Sequence, residues 1–142
     1  MSLGAGVTLS PQLPSLGSVH GFRFGFGQQE LKYPHPGIIV AAKMGQRAGA
    51  MRCGVIALAI THAKQRLTWD AVNALPVPFD ERSPMGLDAA EHWVCLFEQT
   101  VAYFPGDTKW IVGAGSTHLG QATQGFTDQV IEAWSDYRKR RT

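Results

Sequence analysis

Between Ala41 and Thr61 every fourth residue is small: Ala41, Gly45, Gly49, Cys53, Ala57 and Thr61. On a helix of 3.6 residues per turn these positions form one gently drifting stripe, along which a partner backbone approaches more closely than leucines allow. Glycine weakens a helix by about 1 kcal/mol per position relative to alanine, so Gly45, Gly49 and Gly54 make sense if close packing compensates. No proline interrupts residues 37–67, and the spacing predicts one long helix there, with Ala41, Gly45, Gly49, Cys53 and Ala57 as its packing interface.

At about 1.5 Å per residue such a helix spans roughly 45 Å, longer than a hydrocarbon core of about 30 Å. Lys43 and Arg47 lie towards one end, Lys64 and Arg66 towards the other, with Arg52 near the middle. A central arginine costs about 2.5–3.5 kcal/mol on insertion scales, which Val55, Ile56, Leu58 and Ile60 partly offset. The residues therefore leave two readings open, a membrane span and a buried or interfacial helix, such as a crowded contact inside one soluble domain.

Two further helices are expected. Ala90, Val94, Phe97, Val101 and Phe104 recur at alternating four- and three-residue steps, an amphipathic pattern over about 87–104, with Asp88 and Glu91 suited to its first turn. Val130, Trp134 and Tyr137 fall on one face of a closing helix over about 127–140, whose last turn is basic. Thr68 can cap a short helix from Trp69 to Leu75, stopped by Pro76 and Pro78. Residues 1–18 carry no charge and read as an extended arm. Phe22, Phe24 and Phe26 alternate with Gly and Arg as in a strand or extended ribbon, the form favoured over the close-packing helix that Gly17, Gly21 and Gly25 at four-residue spacing would mark. The expected organisation is thus a mostly α chain, with an arm over 1–36 and a helical domain over 37–142.

Charge is distributed unevenly. The net +2 conceals a basic segment, residues 1–66, with seven cations against Glu30 alone, and an acidic one, residues 67–107, with seven acids against Arg82 alone. Opposite segments point to internal pairing or to different partners. Basic residues are not interleaved with aromatics on one patch, which argues against nucleic acid. No signal peptide is expected, since the first cation is Arg23 and no compact apolar core precedes a cleavage site.

Chemistry-bearing residues are sparse. Cys53 and Cys95 form no C-x-x-C pair and are expected as buried small residues. His92 and Cys95 lie three apart, close enough on a helix to share a ligand, but zinc needs three or four donors and no second pair follows. Gly113-Ala114-Gly115-Ser116-Thr117, continuing to Gly120, resembles a glycine-rich turn at a helix start without the dinucleotide or P-loop spacing. No catalytic, metal or cofactor site is assigned.

Arg66-Leu67-Thr68-Trp69-Asp70-Ala71-Val72-Asn73, an R-x-x-x-D-x-x-N arrangement, follows the stretch Ala42-Lys43-Met44-Gly45-Gln46-Arg47-Ala48-Gly49. Together these residues, over about 40–75, resemble the mitochondrial inner-membrane translocase channel family, in particular its relatives among the accessory subunits of the respiratory complex I membrane arm. The resemblance implies glycine-striped helices, with Arg66 holding orphan carbonyls at a helix end, Asp70 pairing with it and Asn73 bonding across the turn. Four spans cannot be drawn, because Asp88, Glu91 and Glu98 interrupt the later segment, so an accessory role fits better than a channel. The expected function is a non-catalytic structural subunit of a large assembly in the mitochondrial inner membrane, with other protein subunits and membrane lipid as partners. A structural or connector protein of a virus particle is the alternative, and a small soluble enzyme using Cys95 and His92 a further one.

Overall fold

Ala48 and Gly49 both have positive φ, 53° and 79°, and Arg47 pairs directly with Ala50. Two consecutive left-handed residues between paired strands make the tight reversal that matches the right-handed twist of a β-hairpin. Residues expected as one helix are therefore two long strands, β2 (His35–Arg47) and β3 (Ala50–Thr61). The computed structural model describes residues 13–25, 34–62, 72–111 and 113–141. Over them the remaining elements are β1 (Ser18–Phe22), β4 (Ala74–Pro76), the single-turn α1 (Phe79–Arg82), β5 (Trp93–Phe104), β6 (His118–Gln121) and α2 (Gln124–Arg141). All six strands form one antiparallel sheet in the order β4-β5-β3-β2-β1-β6.

The mostly α expectation is overturned: the chain is mostly β, and α2 is the one helix of seven or more residues among those described. The error has a physical source. A spacing of four is a multiple of the strand period of two, so Ala41 and Gly45, or Cys53 and Ala57, share a face in a strand as well as in a helix. The expected helix over 87–104 fails for a related reason. Trp93-Val94-Cys95-Leu96-Phe97 is a continuous apolar run that feeds both faces of a buried strand. A register shift opposite Ala59 then resets the alternation before Val101 and Phe104. Of the expected helix from Trp69 to Leu75, Ala74 and Leu75 belong to β4, and residues 63–71 lie outside the described residues. The closing helix does form, three residues longer at its start than its apolar stripe indicated. Of the expected ribbon, Phe22 ends β1, an internal strand between β2 and β6, Phe24 follows that strand and Phe26 lies outside the described residues.

Alternation gives the sheet two apolar faces. On one, Val19, Ile38, Val40, Leu58, Ile60, Val94 and Leu96 pack with Phe126, Val130 and Trp134 of α2, and with Val77 and Met85. On the other, Phe22, Phe24, Ile39, Cys53, Val55, Ala57, Ala59 and Cys95 form a second buried cluster. Val40 and Ala41 both join the α2 side because the register shifts between Ile39 and Ala41, the signature of a bulge.

Thr123 starts α2. Its Oγ1 accepts the Phe126 N–H at 3.2 Å and donates to Glu81 Oε2 at 2.6 Å, while its own N–H donates to Glu81 Oε1 at 2.9 Å. The cap thus satisfies a first-turn donor and brings a carboxylate to the positive end of the helix. The helix then crosses the sheet from the β1–β6 edge, where Ala122 N–H donates to Gly17 O, to the β4 edge, where Arg140 Nη2 donates to Asn73 Oδ1. A helix about 10 Å wide cannot cover strands about 40 Å long, so the hairpin end of this face stays open. No helix among the described residues is long and apolar enough to cross a membrane.

Close packing does occur at glycines, but away from the predicted stripe. A Cβ on Gly45 would have nothing within 4 Å, whereas one on Gly120 would collide with the backbone of Pro84 and Met85. Gly120→Ala should therefore lower stability by about 2 kcal/mol or more, and Gly45→Ala should leave it unchanged or raise it by about 0.5 kcal/mol. Thermal melts of the two variants check this, and a Gly45→Ala loss matching that of Gly120→Ala would contradict the fold.

Candidate functional site

The uncovered end of the α2-side face is an open groove of about 470 Å³. Its floor follows from strand register. Ala41, Ile56 and Val101 stand side by side across β2, β3 and β5, and Lys43, Gly54 and Tyr103 form the next row. Gly45 opposite Arg52 forms the third, and Arg47 at the hairpin closes the end. One row towards α2, Leu58 pairs with Gln99, whose Oε1 accepts the Trp134 Nε1–H at 3.2 Å. The helix therefore stops covering the sheet directly before the groove begins. Val101, at the β5 end of the first open row, is 72% exposed.

Three cations, Lys43, Arg47 and Arg52, rim this floor. The Arg52 guanidinium lies 5.6 Å from the Tyr103 ring centroid, which holds it along the groove wall. Asp107, at the turn after β5, accepts the Tyr103 N–H at 2.8 Å, so one carboxylate near the groove mouth is committed to the backbone. Among the described residues lining the groove none is Ser, Cys, His, Asp or Glu. An apolar floor with a cationic rim can hold an apolar group that carries negative charge beside it.

The predicted stripe is divided by the sheet. Ala41 and Gly45 lie on the groove floor, Gly49 is in the hairpin turn, and Cys53 and Ala57 are buried on the opposite face. Burial pushes the Cys53 thiol up, as expected for a structural cysteine. Of the family-like signature, Arg66 and Asp70 lie outside the described residues. Asn73 enters β4; its carbonyl accepts the Leu96 N–H at 2.9 Å and its Oδ1 is held by Arg140. Asn73 thus ties the sheet edge to α2.

Cys95 is fully buried in the layer away from α2. His92 Nδ1 lies 2.6 Å from Ala90 O and its Nε2 3.8 Å from Asp88 Oδ1, so both ring nitrogens face oxygen atoms. Among the described residues no group of three or more His, Cys, Asp or Glu is placed to hold a metal. The glycine-rich 113–120 segment leads into strand β6, so the helix start that anion binding would use is not there.

A cluster that the sequence did not signal forms across β1 and β6. His20 stacks on His118 with ring centroids 4.6 Å apart and meets Phe104 edge-on at 5.0 Å. Ser18 Oγ donates to Ser15 O at 2.7 Å, which leaves its oxygen to accept from His20 Nε2–H at 3.2 Å. Strand pairing between residues about a hundred positions apart brings these rings together, and no local spacing encodes it. Comparison with known protein families, characterised proteins and solved structures finds no match to this chain.

Burial, with the neighbouring His118 adding to it, lowers the His20 pKa from 6.5 to about 4. Between those values the unfolded chain takes up a proton that the folded chain refuses, so this residue makes stability fall as pH drops from about 7 towards 4. His20→Gln keeps a donor for Ser18 and removes the titration. Its melting temperature should fall by several degrees less than that of the wild type between pH 7 and pH 4.5; parallel slopes would show that His20 does not hold its neutral form.

Proposed function

We propose that the chain is a non-catalytic assembly protein that docks on a neighbouring protein through the basic, apolar-floored groove at the hairpin end of its sheet. The observation that carries this reading is Val101, 72% exposed on the outer strand of a three-strand apolar floor whose lining also includes Lys43, Arg47 and Arg52. Interfaces have this anatomy, an apolar centre inside a charged rim. The contact surface is thus a sheet face, in place of the glycine seam of a helix.

The resemblance over residues 40–75 would set this subunit in the membrane arm of respiratory complex I, at the mitochondrial inner membrane. That setting now rests on Arg66, Asp70 and Asn73 alone, because the glycine stripe that shared in it is a hairpin. A particle built from repeated copies, such as a virus shell or connector, is the second reading. It is favoured by the separation of charge in the fold, with Lys43, Arg47 and Arg52 at the hairpin end of the sheet and Asp80, Asp88 and Glu91 around the turns that precede Trp93, the start of β5.

Val101→Asp combined with Arg52→Glu reverses the surface without touching the core, since both side chains sit on the open floor. Surface changes of this kind shift stability by about 0.5 kcal/mol or less. The wild-type chain in extract from its native source should elute as part of a complex well above its 15.5 kDa monomer, and the double variant should elute as a monomer with an unchanged melting temperature. A wild-type monomer in the extract, or a variant that stays in the complex, would refute the docking role.

A further inference from the structure

We propose that the partner seated in the groove is a second copy of this chain, joined head to tail through a knob centred on Phe79. This rests on the docking reading above and adds the identity of the occupant. Phe79, the first residue of α1, is 67% exposed. Asp80 beside it is exposed, as are Asp88 and Glu91 on the loop that leads into β5. The two segments are bound to each other by Arg82, whose Nε donates to Val77 O at 3.3 Å and whose Nη1 donates to Ala89 O at 2.7 Å. The Arg82 guanidinium also lies 5.4 Å from the Phe79 ring centroid, so the knob carries one cation among its three exposed acids. Glu81 is committed elsewhere, to the Thr123 cap.

Knob and groove complement each other in kind. One presents an aromatic ring flanked by carboxylates, the other an apolar floor of Ala41, Ile56 and Val101 rimmed by Lys43, Arg47 and Arg52. An exposed aromatic set into an apolar depression is the usual anchor of an interface, and opposed charges around it fix orientation and speed encounter. The two surfaces also stand at opposite ends of the same strand: β5 starts at Trp93, next to the acidic loop, and ends at Phe104, beyond the groove. Along β3 the positions opposite Trp93 and Val101 are Thr61 and Ile56, and Arg52 lies further on, so about 17–30 Å of sheet separates the two surfaces, and one molecule cannot seat its own knob. A two-fold axis through either surface would set like charge on like, and a reciprocal two-fold pairing of knob and groove would stop at a dimer. Contact between the two different surfaces is heterologous, and it repeats into a ring or a filament.

Sedimentation velocity on the purified full chain tests this. At about 50 mM salt the average mass should rise with concentration beyond that of a dimer, and at about 500 mM salt association should weaken by about tenfold or more through screening of the charged rim. A groove variant, Arg47→Glu with Arg52→Glu, and a knob variant, Phe79→Ala with Asp80→Asn, should each be monomeric alone. Mixed in equal amounts they should form a heterodimer and nothing larger, because each retains the one surface that the other lacks. Val101→Asp and Phe79→Ser form a second groove and knob pair with single changes at exposed sites, should either double variant melt early. A wild type that stays monomeric at low salt overturns the proposal, as does association by either variant alone or a mixture that yields no heterodimer. If the purified wild type is monomeric while Val101→Asp with Arg52→Glu still releases the chain from its native complex, the docking role stands and the occupant is a different protein.

Discussion

The ladder between β2 and β3 is the interaction on which the rest of the molecule depends. It joins Gly37 to Ala59 at one end and Arg47 to Ala50 at the other, and the further strands flank it, β5 and β4 beside β3, β1 and β6 beside β2. Its alternating residues supply the central part of both apolar layers, Ile38, Val40, Leu58 and Ile60 for one, Ile39, Val55, Ala57 and Ala59 for the other. Each large side chain buried there contributes about 1.5–3 kcal/mol. A shift of one residue in this register would exchange the two layers and destroy both.

The length of that ladder also creates the candidate site. A single helix is a narrow cover, and α2 is tied at its start to Glu81 and near its end to Asn73. Its path is fixed by those two anchors, and Trp134 marks the last sheet row that it reaches. The rows beyond are apolar through small residues and carry charge at their rim, which keeps an uncovered sheet face hydrated while leaving Val101 available.

Charge that is segregated along the chain becomes charge segregated in space because the hairpin turn and the acidic loop lie at opposite ends of the antiparallel strands. Had the hairpin and the loop preceding β5 met at one end, the cations and acids would have neutralised each other within one molecule. Topology, through the order of β5, β3 and β2 and their antiparallel sense, separates them and makes the two ends fit different surfaces.

Some of this was legible in the residues. Val130, Trp134 and Tyr137 at helical spacing marked α2, although the same spacing at Val94, Phe97, Val101 and Phe104 fell on a strand, and Phe22 marked the end of an extended segment. The uneven distribution of cations and acids was likewise a property of the sequence alone. The small-residue series from Ala41 to Thr61 was ambiguous, because a four-residue spacing serves a helix and a strand equally and the Ala48-Gly49 reversal lacks the Asn or Asp that usually announces such a turn. Which period wins was decided by partners distant in sequence: Val101 and Tyr103 beside β3, and the aromatic layer on the far face. The groove and the His20–His118 stack exist only through strand order and the reach of one helix, and those are set by long-range pairing and packing that no local pattern contains.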